Sequence, residues 1–160
     1  MFLIWMSMGL AFSVDDGEYI CVQSPEVLAK RKEKALEKTL SETNFLIRST
    51  AKDRLSGKPD MCRGYKIKNH DKGFHIQCDE LPNIDLLTDG SPTQYPTKKG
   101  NYPLVAKVTD SRVVQNFDFG KVGFSVTYIK TEKGFDVIKS IYSSYLGAPL
   151  DVRASYIKKP

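Results

Sequence analysis

The sequence predicts an α+β domain: a long N-terminal helix packed on an antiparallel sheet of about five to seven strands. Three observations lead there. Apolar residues recur at helical spacing over residues 25–55, and the period changes to alternation after Pro59. No helical pattern separates the later strands, which removes the crossovers a parallel sheet would need. At 160 residues, with 41% hydrophobic and 27% charged side chains, the chain reads as one globular domain with a core of useful size.

Residues 1–13, MFLIWMSMGLAFS, are apolar and uncharged, and Asp15-Asp16 follow closely. The run falls short of the roughly 20 residues that cross a bilayer. It matches the apolar region of a secretory signal peptide, with Ala11 and Ser13 as the small residues before a cut at Val14. No Lys or Arg precedes it, so the basic start is missing or lies upstream of Met1. The expected organisation is a signal peptide over 1–13 and a single domain over 14–160, delivered to the periplasm or the extracellular space.

Glu18–Gln23 reads as the opening strand. Ser24-Pro25-Glu26 then marks a helix start: a hydroxyl for free amides, a proline suited to the first turn, and an acid at the positive end of the dipole. Leu28, Leu36, Leu40, Ile47, Ala51 and Leu55 form one stripe, and Ser56-Gly57 with Pro59 ends it. A helix from Pro25 to Leu55 is long for a small domain, and Ser41-Glu42-Thr43-Asn44 is the natural place for a kink. Lys30, Arg31, Lys32 and Lys34 alternate with Glu26, Glu33 and Glu37, which describes a solvated helix face. The net charge of +5 therefore makes no nucleic-acid site, and no stacking aromatics accompany it.

Beyond Pro59, Cys62–Lys68 and Phe74–Cys78 read as a hairpin around Asn69–Gly73. Residues 79–102 hold Pro82, Pro92, Pro96, Gly90 and Gly100 and read mostly as loop, with a brief edge strand at Ile84–Leu87. Such a loop is either a functional lid or an unstructured excursion. Strands follow at Leu104–Val108, Arg112–Phe119, Val122–Lys130, Phe135–Tyr142 and Asp151–Ile157. Val122, Phe124, Val126 and Tyr128 alternate with small or polar residues, so one face is buried, and Phe135, Val137 and Ile141 continue it. Thr131–Gly134 is the hairpin turn between them.

Cys21, Cys62 and Cys78 are expected to be oxidised in an exported chain. Cys62 and Cys78 flank one hairpin, so a Cys62–Cys78 disulfide is expected, leaving Cys21 free or available to join two chains as a dimer. As zinc ligands, Cys62, His70, His75 and Cys78 are badly placed, because His75 and Cys78 point to opposite faces of one strand. No metal site, cofactor or catalytic residue is assigned. Phosphate loops, dinucleotide fingerprints and nucleophile elbows are absent from the sequence. Asp79, Glu80, Asp85 and Asp89 cluster around the long loop, where acids are ordinarily just solvated.

Tyr95, Tyr102, Tyr142 and Tyr145 are the candidate binding residues, being flat apolar bodies with polar tips around the loop and the late strands. The leading expectation is a non-enzymatic exported module that binds a protein or a cell-envelope component. A carrier of a small apolar molecule such as a lipid, held between helix and sheet, is the second reading. A small envelope hydrolase using loop carboxylates is the third. Carrier and module differ in the interior: the first needs an apolar cavity, the second a filled core. The hydrolase needs two carboxylates in one cleft.

Overall fold

A computed structural model of the chain describes residues 12–78, 81–109 and 111–160. The elements among them run β1 (Gly17–Cys21), α1 (Pro25–Ser41), α2 (Arg48–Leu55), β2 (Gly64–His70), β3 (Gly73–Cys78), β4 (Leu81–Leu87), β5 (Thr93–Thr97), β6 (Gly100–Leu104), β7 (Ala106–Thr109), β8 (Arg112–Asp118), β9 (Val122–Lys130), β10 (Gly134–Ser143) and β11 (Leu150–Lys158). Nine strands form one antiparallel sheet in the order β4-β3-β2-β1-β11-β10-β9-β8-β7, and β5-β6 form a separate hairpin. The expected helix on a sheet of five to seven strands is therefore wrong. The molecule is mostly sheet, curled into a nearly closed barrel, with two short helices attached.

The curl follows from which side chains the strands turn inward. In a flat sheet β2 and β9 would stand four strand spacings apart, about 19 Å. Instead the rings of Tyr65 on β2 and Tyr128 on β9 lie 6.5 Å apart, edge to face. Phe135 on β10, Tyr156 on β11 and Tyr19 on β1 join them: Phe135 is 5.4 Å from Tyr156 and 5.0 Å from Tyr19. These rings cannot all be buried unless the sheet wraps around them. The first and last strands close the wrap, with Tyr19 opposite Lys158 and Cys21 opposite Tyr156.

The remaining gap lies between β4 and β7, and the β5–β6 hairpin covers it. The Thr93 hydroxyl donates to the Asp85 carbonyl at 2.8 Å, and the Tyr102 hydroxyl to the Asp118 carbonyl at 2.8 Å. This is the region expected to be loop. Its prolines belong to strands at edges: Pro82 in the edge strand β4, Pro96 and Pro103 in the two-stranded hairpin. A residue without an N–H is tolerated where one side of the strand has no partner.

Helix α1 begins as expected. The Ser24 hydroxyl accepts from the Val27 amide at 3.3 Å, Pro25 occupies the first turn, and Glu26 sits beside the free amides. It runs along β11, where Arg31 donates to the Arg153 carbonyl and Thr39 to the Pro149 carbonyl. The expected kink is a full break. The buried Thr43 hydroxyl donates to the Thr39 carbonyl at 2.7 Å and accepts from the Gly147 amide at 3.2 Å, which ends α1 and pins it to the β10–β11 connection. Helix α2 starts without a side-chain cap and buries no residue.

The Thr131–Gly134 turn is present, with Thr131 donating to the Gly134 carbonyl at 3.0 Å. Gly134 is required for closeness and not for a left-handed backbone: a Cβ there would strike the Tyr156 carbonyl. Cys62 and Cys78 are joined as a disulfide across the β2–β3 hairpin, with Cα atoms 6.0 Å apart. Cys21 is a free, half-buried thiol. Most of the expected leader, residues 1–11, lies outside the described residues. Phe12 and Val14 are buried, Phe12 packing 5.6 Å from the ring of Phe74. Among the described residues no helix is long and apolar enough to cross a membrane.

Candidate functional site

The barrel interior is organised in rungs. Reading across β8, β9, β10 and β11, hydrogen-bonded register places Phe117, Phe124, Ile141 and Leu150 on one level. The next level is Gln115, Val126, Lys139 and Val152, and the one below is Val113, Tyr128, Val137 and Ala154. Strand alternation turns all of these inward. Two levels are apolar or aromatic. The middle one carries an amide and an ammonium on either side of Val126, about 10 Å apart along the rung.

Beside this rung a pocket opens among the inward side chains. A cavity of about 340 Å³ reaches from Tyr65 and Tyr128 across to Ile76 and Ile84, with Gln115 and Lys139 in its wall. That is the size of a small-molecule site, and its lining has the usual composition: mostly hydrophobic, with a few placed polar groups. Beside it, a second groove of about 440 Å³ runs between α2 and the residues Ser143, Tyr145 and Leu146. The two share Val122 and Ile141 as lining residues.

The polar groups have unequal partners. Lys139 is 6% exposed, and its Nζ donates to the Asp60 carbonyl. The Asp60 carboxylate itself turns to Lys58 at 3.0 Å. Gln115 is 1% exposed, and its Oε1 makes no hydrogen bond. The Tyr65 hydroxyl, beside that of Tyr156, also makes none of good geometry. Burial, with the neighbouring Tyr128 and Tyr156 phenols, pushes Tyr65 well above the usual phenol range. Burial raises Tyr128 and Tyr95 as well. At neutral pH these phenols are uncharged and can both donate and accept.

Of the four tyrosines singled out in the sequence, Tyr95 lines the cavity, half-buried, its ring 4.8 Å from Phe117. Tyr102 stands opposite it in the hairpin and fastens the hairpin to the end of β8. Tyr142 lies over Gly123, where any Cβ would hit its ring, and donates to the Phe117 carbonyl at 3.3 Å. Tyr102 and Tyr142 thus grip adjacent carbonyls of β8. Tyr145 sits apart, in the α2 groove, with the Lys121 ammonium 5.7 Å from its ring centre.

Gln115 and Lys139 belong to no motif, yet the sequence carries a signal for both. Val113, Gln115 and Phe117 alternate inward, as do Val137, Lys139 and Ile141, so each polar residue occupies a position that the pattern reserves for the core.

The other reactive side chains serve structure. The disulfide takes two of the four groups weighed for zinc. His75 and His70 both face Asp85, at 3.0 and 3.6 Å, and no group of three metal ligands occurs among the described residues. Asp89 accepts from the Ser91 amide, which holds its carboxyl below the usual range, and Asp118 accepts from the Gly120 amide. Asp79, Glu80 and Asp110 lie outside the described residues. No protein-family model and no curated protein sequence matches the chain.

Proposed function

We propose that the protein is an exported carrier that holds a small, largely apolar molecule inside its barrel. One observation supports this above the others: an apolar cavity of about 340 Å³ lined by Ile76, Ile84, Phe117, Val126 and Tyr128. A pocket of this size and lining is typical of a small-molecule site, and a bound ligand would fill it. The interaction-module reading expects a filled core, and the cavity favours the carrier over it. The hydrolase reading needs two converging carboxylates, and among the described residues the cavity wall carries Asp60 alone. Export is supported by the apolar run over residues 1–13 and by the Cys62–Cys78 disulfide, which belongs to an oxidising compartment.

The test is native mass spectrometry of the exported protein, followed by titration with N-phenyl-1-naphthylamine, whose fluorescence rises in apolar sites. A carrier shows probe binding that Ile141→Trp, placed at the shared wall of cavity and groove, weakens at least tenfold. A protein that binds no probe and carries no extra mass is not a carrier. The same spectrum shows whether residues 1–13 are absent.

A further inference from the structure

Exposed apolar side chains gather beside the cavity. Phe119 and Val122, at the turn between β8 and β9, line it and are half-exposed. Val122 also lines the groove beside α2, together with Ile47 and the half-exposed Tyr145. Phe45 and Leu46, directly before Ile47, are the most exposed large apolar residues among those described, at 74% and 73%. Hydrogen bonds fasten these segments to one another: the Gly147 amide donates to the Thr43 hydroxyl at 3.2 Å, and the Ser144 amide to the Lys121 carbonyl at 3.1 Å. One rim thus holds large apolar side chains in water. Cations accompany them. Cavity and groove are lined by Arg54, Lys58 and Lys139 against Asp60 as the one acid among the described residues, and the Lys121 ammonium lies 5.7 Å from the ring centre of Tyr145.

Resting on the carrier reading above, we propose that this rim docks on an anionic lipid bilayer, so that cargo passes between membrane and cavity without crossing water. Apolar side chains held in water gain by entering the boundary of a bilayer, and long cations beside them reach its phosphates while their stems stay among the chains. Tyrosine suits that depth, with an apolar body and a polar tip. A chain of net charge +5 is drawn to an anionic surface before contact. A largely apolar cargo dissolves poorly in water, and a bilayer is the phase that holds it. The continuity of rim and cavity through Val122 favours lipid over a protein partner, which would need no cavity beside its docking surface.

The test loads the exported protein with N-phenyl-1-naphthylamine and mixes it with vesicles that carry a lipid-linked energy acceptor, which reports arrival of the probe. With equal parts phosphatidylcholine and phosphatidylglycerol, the transfer rate is expected to rise with vesicle concentration, as collision requires. Phosphatidylcholine alone should be about tenfold slower, since each cation near an anionic surface is worth roughly fivefold in binding. Phe45→Asp with Leu46→Asp, and separately Lys121→Glu, should slow transfer about tenfold while keeping probe affinity in solution, since none of the three lines the cavity. Thermal melts confirm that the variants fold, and if the double variant does not, Lys121→Glu decides alone. A native rate indifferent to vesicle concentration means transfer through water; it would overturn the docking and leave the carrier intact. Native rates kept by the variants would overturn this rim as the docking surface. Failure of the native protein to bind the probe in solution would instead bring down the carrier reading, and cosedimentation of native and variant protein with the same vesicles then decides the rim by itself.

Discussion

Gln115 is held in the core at a cost, and residues held that way can be tested without knowing the ligand. Leucine has nearly the same shape and no unmet acceptor. Gln115→Leu should therefore stabilise the empty protein by about 1 kcal/mol, a rise of roughly 3 °C in a thermal melt. Loss of stability would mean that the amide has partners in the resting molecule. Asp136 is the opposite case. It is buried, and Arg153 donates to it through Nε at 2.9 Å and through a second nitrogen. Arg153→Ala would strand that carboxylate and should cost about 2 kcal/mol in urea unfolding, less than a fully buried pair because Arg153 is half-exposed.

Titration gives two further expectations with opposite signs. Tyr65 and Tyr128 ionise in the folded barrel only well above the pH at which free phenols do. The unfolded chain therefore loses protons first, and stability falls as pH rises past about 10. Absorbance at 295 nm should show these two phenols titrating only together with unfolding. Asp16 and Glu18 behave the other way. The Asn69 amide lowers the first and the Lys159 ammonium the second, so their contribution is complete above about pH 4.5 and fades as pH falls through the lowered values.

Among the elements, the disulfide-bound hairpin and α2 mark the extremes of local order. The Cys62–Cys78 bridge closes a loop of about 17 residues, and Cys62→Ala with Cys78→Ala should lower unfolding free energy by roughly 3 kcal/mol in the chain-entropy account. Helix α2 has no side-chain cap and no buried residue. Its amides should exchange with deuterium far sooner than those of β9 to β11, and rapid exchange confined to α2 would check this. The same elements show what a sequence can and cannot disclose. The start of α1, the disulfide and strands β8 to β11 rest on local chemistry: a cap, a hairpin-flanking pair, and alternation. The break at Thr43 was locally visible as a polar patch. That the Leu-to-Leu stripe should stop serving the core past this break was not, because it depends on Thr43 meeting Gly147, far along the chain. The hairpin β5–β6 was hidden for a related reason. Its prolines argue against strand unless one already knows that the strand stands at an edge.

For the molecule as a whole, the sheet was legible and its curvature was not. Alternation tells which residues face inward but not what they face. Tyr65 and Tyr128 are ordinary strand tyrosines until the sheet bends them together, and the cavity exists only because of that bend. Half of the site could have been read from the two polar residues in inward rows. The other half, the void itself, is a property of closure. Closure also joins the two ends of the chain in space, and ligand occupancy should therefore raise the melting temperature of the entire barrel as one transition, seen equally by tyrosine fluorescence and by far-ultraviolet dichroism.

The pairing of β1 with β11 sets the order of events in time. Tyr19 cannot meet Lys158 until the last strand has been made. During synthesis β1 can pair with β2 early, but its other edge waits for β11, and the β1–β3 piece and the β8–β11 meander can assemble only as open sheets. Folding dominated by such distant pairings is slow, on the order of milliseconds to seconds. A nascent chain of this design can hold open sheet fragments but cannot close its barrel until its final strand appears. The stitch between its first and last strands is tied only then.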